Sequence, residues 1–400
     1  MALCFENNNG RNDTMKKMIS LLLSITMILS LAGCKSEDTA ETMQNETTET
    51  TAFVYETEEI EERYPLTVID QAGREVVIEK EPQRLISAYY ITTSLLMALD
   101  LDEQMVGIEN TPEKRAVYGL SAPKLLELPT VGTAKELDIE ACLALEPDLM
   151  ILPMKLKSTV EVLEEFDIDV LLVDPEDQER LIAMIELVAL AANREEQAQQ
   201  VLAFIQEQQE FLNESLADTE RPSVYLAGNS SMLKTAGDAM YQSNMIRLAG
   251  GMNAASGIED TYWAEIDYEQ LLSWDPEYII LAAEAVYTVE DVLADPNLKE
   301  CTAVVNGNVY RLPNKAEAWD SPVPGSILGA VWLANILHEE KVSDAECAAR
   351  IDTYYENFYD FTYSKNQKLF NSVGNRNDCL CLYQPVRGQI SAFPGETDGR

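Results

Sequence analysis

Glu136-Leu-Asp-Ile-Glu140-Ala-Cys-Leu-Ala-Leu-Glu-Pro147-Asp-Leu-Met-Ile-Leu152 returns, 129 residues on and without a gap, as Glu265-Ile-Asp-Tyr-Glu269-Gln-Leu-Leu-Ser-Trp-Asp-Pro276-Glu-Tyr-Ile-Ile-Leu281. Each copy reads as a helix, a proline that cannot continue it, and a short apolar strand. The acids flanking the two prolines are swapped, Glu-Pro-Asp against Asp-Pro-Glu. A unit used once in each half of a chain predicts two similar lobes.

Outward from the first copy, the chain alternates strand and helix. Leu66–Ile69 and Val76–Ile78 flank the turn Asp70-Gln-Ala-Gly73, and Arg84–Ala88 reads as a short buried strand before a helix over Thr92–Leu99. Met105–Ile108 is strand-like. After the first copy come a helix over Ser158–Phe166 and the strand Val170–Val173. Strands alternating with helices predict parallel sheets covered on both faces. From Gln178 to Leu216 apolar residues recur at helical spacing, with Asn193 as a break. The part from Arg194 to Leu216 would span about 35 Å at 1.5 Å per residue. It falls between the halves, and two α/β lobes joined by a long helix are expected.

The N-terminal stretch predicts the compartment. Met15-Lys16-Lys17, an apolar run from Met18 to Leu31 and Leu31-Ala32-Gly33-Cys34 have the layout of a secretory signal with Met15 as the start. The apolar run is short of the roughly 20 residues a membrane-spanning helix needs. Cys34 at the cleavage point resembles a bacterial lipoprotein signal, which implies diacylglycerol on its thiol and a lipid-anchored, extracytoplasmic protein. Residues 35–63 carry ten acids against two bases and few apolar groups, and read as an extended acidic tether. The organisation expected is signal 1–33, lipidated Cys and tether 34–63, first lobe 64–193, inter-lobe helix 194–216, second lobe 217–370, and a tail without helical periodicity over 371–400.

The 400 residues hold 69 acids and 29 Lys or Arg, a formal charge of −40. That balance excludes nucleic-acid binding, which needs a basic face to release phosphate counterions. Cys142, Cys301 and Cys347 sit in apolar surroundings, and Cys379-Leu-Cys381 alone is a weak metal pattern. No P-loop Gly-x4-Gly-Lys-Ser/Thr occurs, so any coupled ATP hydrolysis resides in another chain.

Pro82-Gln-Arg-Leu-Ile-Ser87, Val131-Gly-Thr133 before Leu137-Asp-Ile-Glu140, the two proline strand entries and Gly307-Asn-Val-Tyr-Arg-Leu312 stand in an order that, with the Cys34 signal, resembles the substrate-binding lipoproteins of ABC importers for ferric siderophores, haem and cobalamin. The resemblance covers about 64–365. It implies two Rossmann-like lobes bridged by one rigid helix (class III binding-protein type), ligand held in the inter-lobe cleft, and action as a monomer. It further implies a permease dimer with a separate ATPase as partner, and one exposed docking Glu per lobe. Those acids map onto Glu140 and Glu269. A carboxylate pairs bidentately with arginine, and pseudo-symmetric lobes suit a two-fold permease.

Ligands of open α/β sheets bind beyond the carboxyl ends of strands. That rule selects Tyr89 and Tyr90 after the first buried strand, Ser230 after the strand Ser223–Ala227, Tyr241 further on, Tyr262 and Trp263 before the second repeat, Lys135 before the first, and Trp319 after Val309–Leu312. Lys135, Lys234, Arg247 and Lys315 are the bases expected nearby. A single histidine, His338, expected at the surface, argues against capture of a bare metal ion by imidazoles. A metal already wrapped in a chelator needs no protein ligand. That inventory suits a siderophore or a corrinoid equally, and the resemblance implies a ferric siderophore as the ligand, with a corrinoid or haem as alternatives and no resident cofactor. A secreted hydrolase is the distant alternative, because acids abound; yet Glu140 and Glu269 lie on equivalent helices rather than facing loops, and no Ser-His-Asp set is available. An enzyme is not expected.

Overall fold

The computed structural model describes residues 63–259 and 263–366. The signal-like segment, Cys34, the tether up to residue 62, Tyr262, Cys379, Cys381 and the stretch 371–400 lie outside them.

In the first lobe β1 (Leu66–Ile69) and β2 (Glu75–Ile78) make an antiparallel hairpin. Asp70 builds its turn: the carboxylate accepts the backbone N–H groups of Ala72 and Arg74 at 2.9 and 3.0 Å, and that of Leu172 at 3.1 Å. The last bond fastens the hairpin to the sheet. There follow β3 (Leu85–Ser87), α1 (Tyr90–Ala98), β4 (Met105–Gly107), α2 (Ala116–Ser121), β5 (Gly132–Thr133), β6 (Glu136–Leu137), α3 (Ile139–Ala144), β7 (Leu149–Pro153), α4 (Val160–Glu164) and β8 (Asp169–Val173). The lobe's main sheet runs β4-β3-β7-β8, all parallel. Its central strands are buried along their whole length, as continuous apolar runs require.

α5 (Gln178–Ala191) begins on Asp177, whose side chain accepts the Arg180 N–H at 2.9 Å. Asn193, at φ +57°, turns the chain into α6 (Glu195–Ser215), the long helix. Ala198, Val201, Phe204, Ile205, Gln208 and Leu212 form its buried stripe.

The second lobe holds β9 (Ser223–Ala227), β10 (Lys234–Ala236), α7 (Tyr241–Leu248), β11 (Met252–Asn253), β12 (Trp263–Glu265), α8 (Tyr268–Trp274), β13 (Tyr278–Leu281), α9 (Val289–Leu293), α10 (Thr302–Asn306), β14 (Val309–Arg311), α11 (Ile327–Leu337) and α12 (Asp344–Tyr359). Its sheet runs β12-β10-β9-β13-β14, with β11 also beside β9. β9, β11, β13 and β14 are parallel; β10 pairs antiparallel with both its neighbours. Two α/β lobes joined by a long helix are therefore what the chain forms.

One apolar core runs through both lobes, taking in α1, the stripe of α6, α7, α11 and α12, while separate clusters back the outer face of each sheet. Phe204 meets the rings of Tyr354 and Phe358 at 5.3 and 5.9 Å. The expected surface position of His338 is wrong. It is 5 % exposed, with Nε2 3.3 Å from the Gly250 carbonyl, because Gly250 at φ +75° leaves room that a Cβ would fill. Cys142, Cys301 and Cys347 are buried.

Candidate functional site

The duplicated segment folds in the same way twice. Asp138 and Asp267 are the N-caps of α3 and α8, accepting the N–H groups of Ala141 at 3.0 Å and Gln270 at 2.8 Å. Glu146 and Asp275 take left-handed backbone, φ +47° and +41°, directly before the prolines. Asp148 then accepts the Arg84 N–H at 2.8 Å, and Glu277 the Ser223 N–H at 2.9 Å, so each holds the entry of its lobe's central strand. Three of the five duplicated acid positions are thus used by the fold, and at a fourth Glu136 and Glu265 lie exposed on β6 and β12, Glu265 pairing with Lys234. The fifth pair, Glu140 and Glu269, occupies the same place in the first turn of each helix, is exposed, and makes no hydrogen bond or ion pair among the described residues. Loss of either cap, Asp138→Ala or Asp267→Ala, should lower stability by about 1 kcal/mol. Urea denaturation measures it, and an unchanged midpoint would deny the caps a role.

A cavity of about 190 Å³ opens at the carboxyl end of β3, lined by Tyr89, Tyr90, Asn110, Thr111, Lys114 and Arg115, with Thr133 beside them and Glu109 at its buried side. Tyr89 and Tyr90 reach it because α1 starts earlier than the sequence suggests: Tyr89 is its N-cap and Tyr90 its first residue. Gly132 (φ +121°) lets the β5 backbone pass close by, since a Cβ there would strike the Glu136 carbonyl. Its N–H donates to Asn110 Oδ1 at 3.2 Å, and its carbonyl accepts the Asn110 N–H at 2.7 Å. Thr111 holds φ +61°, costly for a β-branched residue, and such strain concentrates at functional sites.

Electrostatics centre on Arg115. Its guanidinium lies 4.0 Å from the Tyr90 ring centroid, a cation–π contact, and its Nη1 donates to Glu284 Oε1 of the second lobe at 2.7 Å. Behind it Glu109, 8 % exposed, accepts the hydroxyls of Tyr118 at 2.5 Å and Thr93 at 2.7 Å. Burial raises the Glu109 pKa, while the two hydroxyls and Arg115 pull it back. Burial raises the Tyr90 phenol well above the usual range, with Ser321 of the second lobe and the charge of Arg115 opposing the rise. Exposed Lys114 adds a second positive charge.

Of the ligand residues expected from the sequence, the structure brings Tyr89 and Tyr90 together at this cavity. Lys135 is exposed on the β5–β6 turn next to lining residues Thr133 and Ala134. Ser230 is exposed on the loop after β9, and Trp263, half-buried, lies over Gly228, where a Cβ would sit 2.9 Å from its ring. Two expectations need correcting. Tyr241 is 3 % exposed in the common core, its N–H donating to the Glu176 carbonyl at 3.2 Å. Trp319 is fully buried, Nε1 donating to Tyr355 Oη at 3.0 Å, because the 316–320 segment fills the seam between lobes instead of lining it. Lys234 is engaged by Glu265 and Arg247 by Asp238, at 3.3 and 2.8 Å. Arg115, Lys114 and Glu109 were missed. They lie just beyond β4, and the strand-end rule could have found them there.

Among the described residues no group of three or more His, Cys, Asp or Glu could hold a metal ion. None of the described helices is long and apolar enough to cross a membrane.

The sequence signature of the periplasmic binding protein family matches residues 85–316. The molybdate-binding protein MolA of Haemophilus influenzae is 25 % identical over 323 residues, 74 % of this chain and 91 % of that one. An uncharacterised ABC transporter substrate-binding lipoprotein of Bacillus subtilis, YvrC, is 22 % identical over 228 residues, 55 % of this chain and 69 % of the relative. In fold, MolA bound to molybdate superposes with a TM-score of 0.66 at 22 % identity, covering 74 % of this chain and 99 % of MolA. Helicobacter pylori CeuE with Ni(II) gives 0.66 at 21 %, covering 76 % and 99 %.

Proposed function

The chain belongs to the periplasmic binding protein family, as an extracytoplasmic solute-binding protein of the ABC-importer type and not an enzyme, and from that premise we propose that it captures an anionic metal complex, a ferric siderophore in the first instance, between its lobes. The observation that carries this reading is the strand-end cavity in which Arg115 and Lys114 stand beside Tyr89 and Tyr90. A guanidinium backed by an aromatic face suits a carboxylate, catecholate or hydroxamate oxygen. The lone His338 lies in the core, so the metal enters already coordinated.

A second reading, a compact metal oxyanion, has its own support. At about 190 Å³ the cavity is smaller than the roughly 300–1,000 Å³ of pockets for drug-sized ligands, and MolA is matched along nearly its whole length. Corrinoid and haem suit this cavity least.

The loaded protein, a single copy tethered through lipid on Cys34, hands its ligand to a permease dimer whose ATPase is a separate chain. Glu140 and Glu269 are the docking acids.

Titration of the protein with a ferric siderophore, ferric citrate, molybdate, haem and cobalamin, followed by intrinsic fluorescence and calorimetry, tests the ligand class. Binding of an anionic complex at micromolar Kd or better, weakened at least tenfold by Arg115→Gln, is expected. Binding of cobalamin alone would overturn the reading.

A further inference from the structure

Arg115–Glu284 is an ion pair that joins residues 63–193 to residues 217–366. We propose that Glu284 is a built-in counter-anion: its carboxylate holds the anion position of Arg115, and a ligand loads the cleft by displacing it. The inference rests on the anionic-ligand reading above and adds to it a residue that sets selectivity.

The two partners are held very differently. Arg115 is the fixed member, its side chain 19 % exposed with the guanidinium against the Tyr90 ring. The backbone that carries Glu284 is fixed as well. Ala283 N–H donates to Asp320 Oδ2 at 3.0 Å, and its carbonyl accepts Asn314 Nδ2 at 2.7 Å. The Ala285 carbonyl accepts Arg311 Nη1 at 2.9 Å, and Val286 N–H donates to the Asn229 carbonyl at 2.9 Å. The Glu284 side chain itself is 45 % exposed. Rotation into water is therefore its open route, and it regains hydration on leaving Arg115, whereas Arg115 has no such exit.

Selectivity follows from the competition. The departing carboxylate is a monoanion that contacts the guanidinium through one oxygen. A ligand that presents two oxygens, or a multiple charge also felt by Lys114, gains more at this position than Glu284 loses. A neutral solute, or a monoanion that offers a single oxygen, does not. The displaced pair also removes one tie between the lobes and replaces it with the ligand, so occupancy is registered at the seam.

Four full-length proteins test this: wild type, Glu284→Gln, Arg115→Gln, and Glu113→Gln as a control that removes the same charge from an exposed position two residues from Arg115. Calorimetric titration uses sodium molybdate and ferric citrate, with circular dichroism to establish folding. Glu284→Gln should bind whichever probe the wild type binds about tenfold tighter or more. Glu113→Gln should change affinity less than about twofold, and Arg115→Gln should lose binding. Unchanged or weaker binding by Glu284→Gln, with the wild type binding normally, overturns the counter-anion role and leaves the ligand reading standing. An equal gain from Glu113→Gln overturns it too, since net charge alone would then account for the effect. If no folded variant binds either probe, the anionic-ligand reading fails and this inference with it.

Discussion

Reversing Glu140 and Glu269 together to arginine should reduce ligand uptake by cells to background while ligand affinity stays at the wild-type value. The expectation comes from how the duplicated acids are spent. Asp138 and Asp267 cap their helices, Asp148 and Glu277 hold strand entries, and Glu140 and Glu269 alone project from equivalent helix turns without a partner. A fold keeps an exposed, repeated carboxylate at no structural benefit; a two-fold partner with a basic residue at each contact gives it one. Truncating one side of a buried interfacial charge pair costs about 2–5 kcal/mol, so reversal at both contacts weakens docking by far more than a hundredfold. Neither residue lines the cavity at Arg115, which is why affinity is spared. Uptake assays paired with calorimetry decide it. Normal uptake by the double variant would remove the docking role, and lost ligand binding would show that the substitutions act on the fold.

The second large effect concerns a carboxyl buried where the lobes join. Glu317 is 3 % exposed; Tyr355 Oη lies 3.1 Å from its Oε2 and Tyr359 Oη 3.4 Å from its Oε1. Tyr359 Oη can donate its one proton to Oε1 or to the Ser94 carbonyl 3.0 Å away. Burial pushes this carboxyl from the 4.5 of a free glutamate to about 7, with hydrogen bonds from Ser94, Tyr355 and Tyr359 and the charge of Arg115 opposing the rise. The folded state therefore holds the proton more tightly than the unfolded chain. Stability from this group is complete below pH 4.5 and is lost as pH rises towards 7, where the folded protein too must ionise a buried acid. Glu317→Gln keeps a neutral side chain of the same shape. It should match the wild type in acid and exceed it by about 3 kcal/mol at pH 8. Chemical denaturation of both proteins across that range is the measurement, and parallel curves would exclude ionisation of Glu317.

Much of this was legible in the chain. Leu149-Met-Ile-Leu152 and Tyr278-Ile-Ile-Leu281 could only be interior strands, since an uninterrupted apolar run has no polar face to give to water. Asn193 marked the break before the long helix, because a short polar residue tolerates left-handed backbone there. The strand-end rule pointed to Tyr89 and Tyr90, and the cavity at the carboxyl end of β3 is lined by both. Trp319 and Tyr241 misled the rule: an aromatic following a strand serves a core as well as a cleft, and composition does not separate the two.

The sequence by itself determined two lobes, the long helix and the duplicated acids, since period, proline and apolar runs are properties of neighbours along the chain. Only the tertiary structure decided which charges meet. Arg115 and Glu284 are 169 residues apart, and Glu317 reaches Tyr355 and Tyr359 across 38 and 42. No local pattern encodes such pairings, because the energy of a charge depends on what surrounds it in space, its partner and its distance from water. The repeat could say which acids were duplicated; burial and hydrogen bonding said which of them the fold had left free.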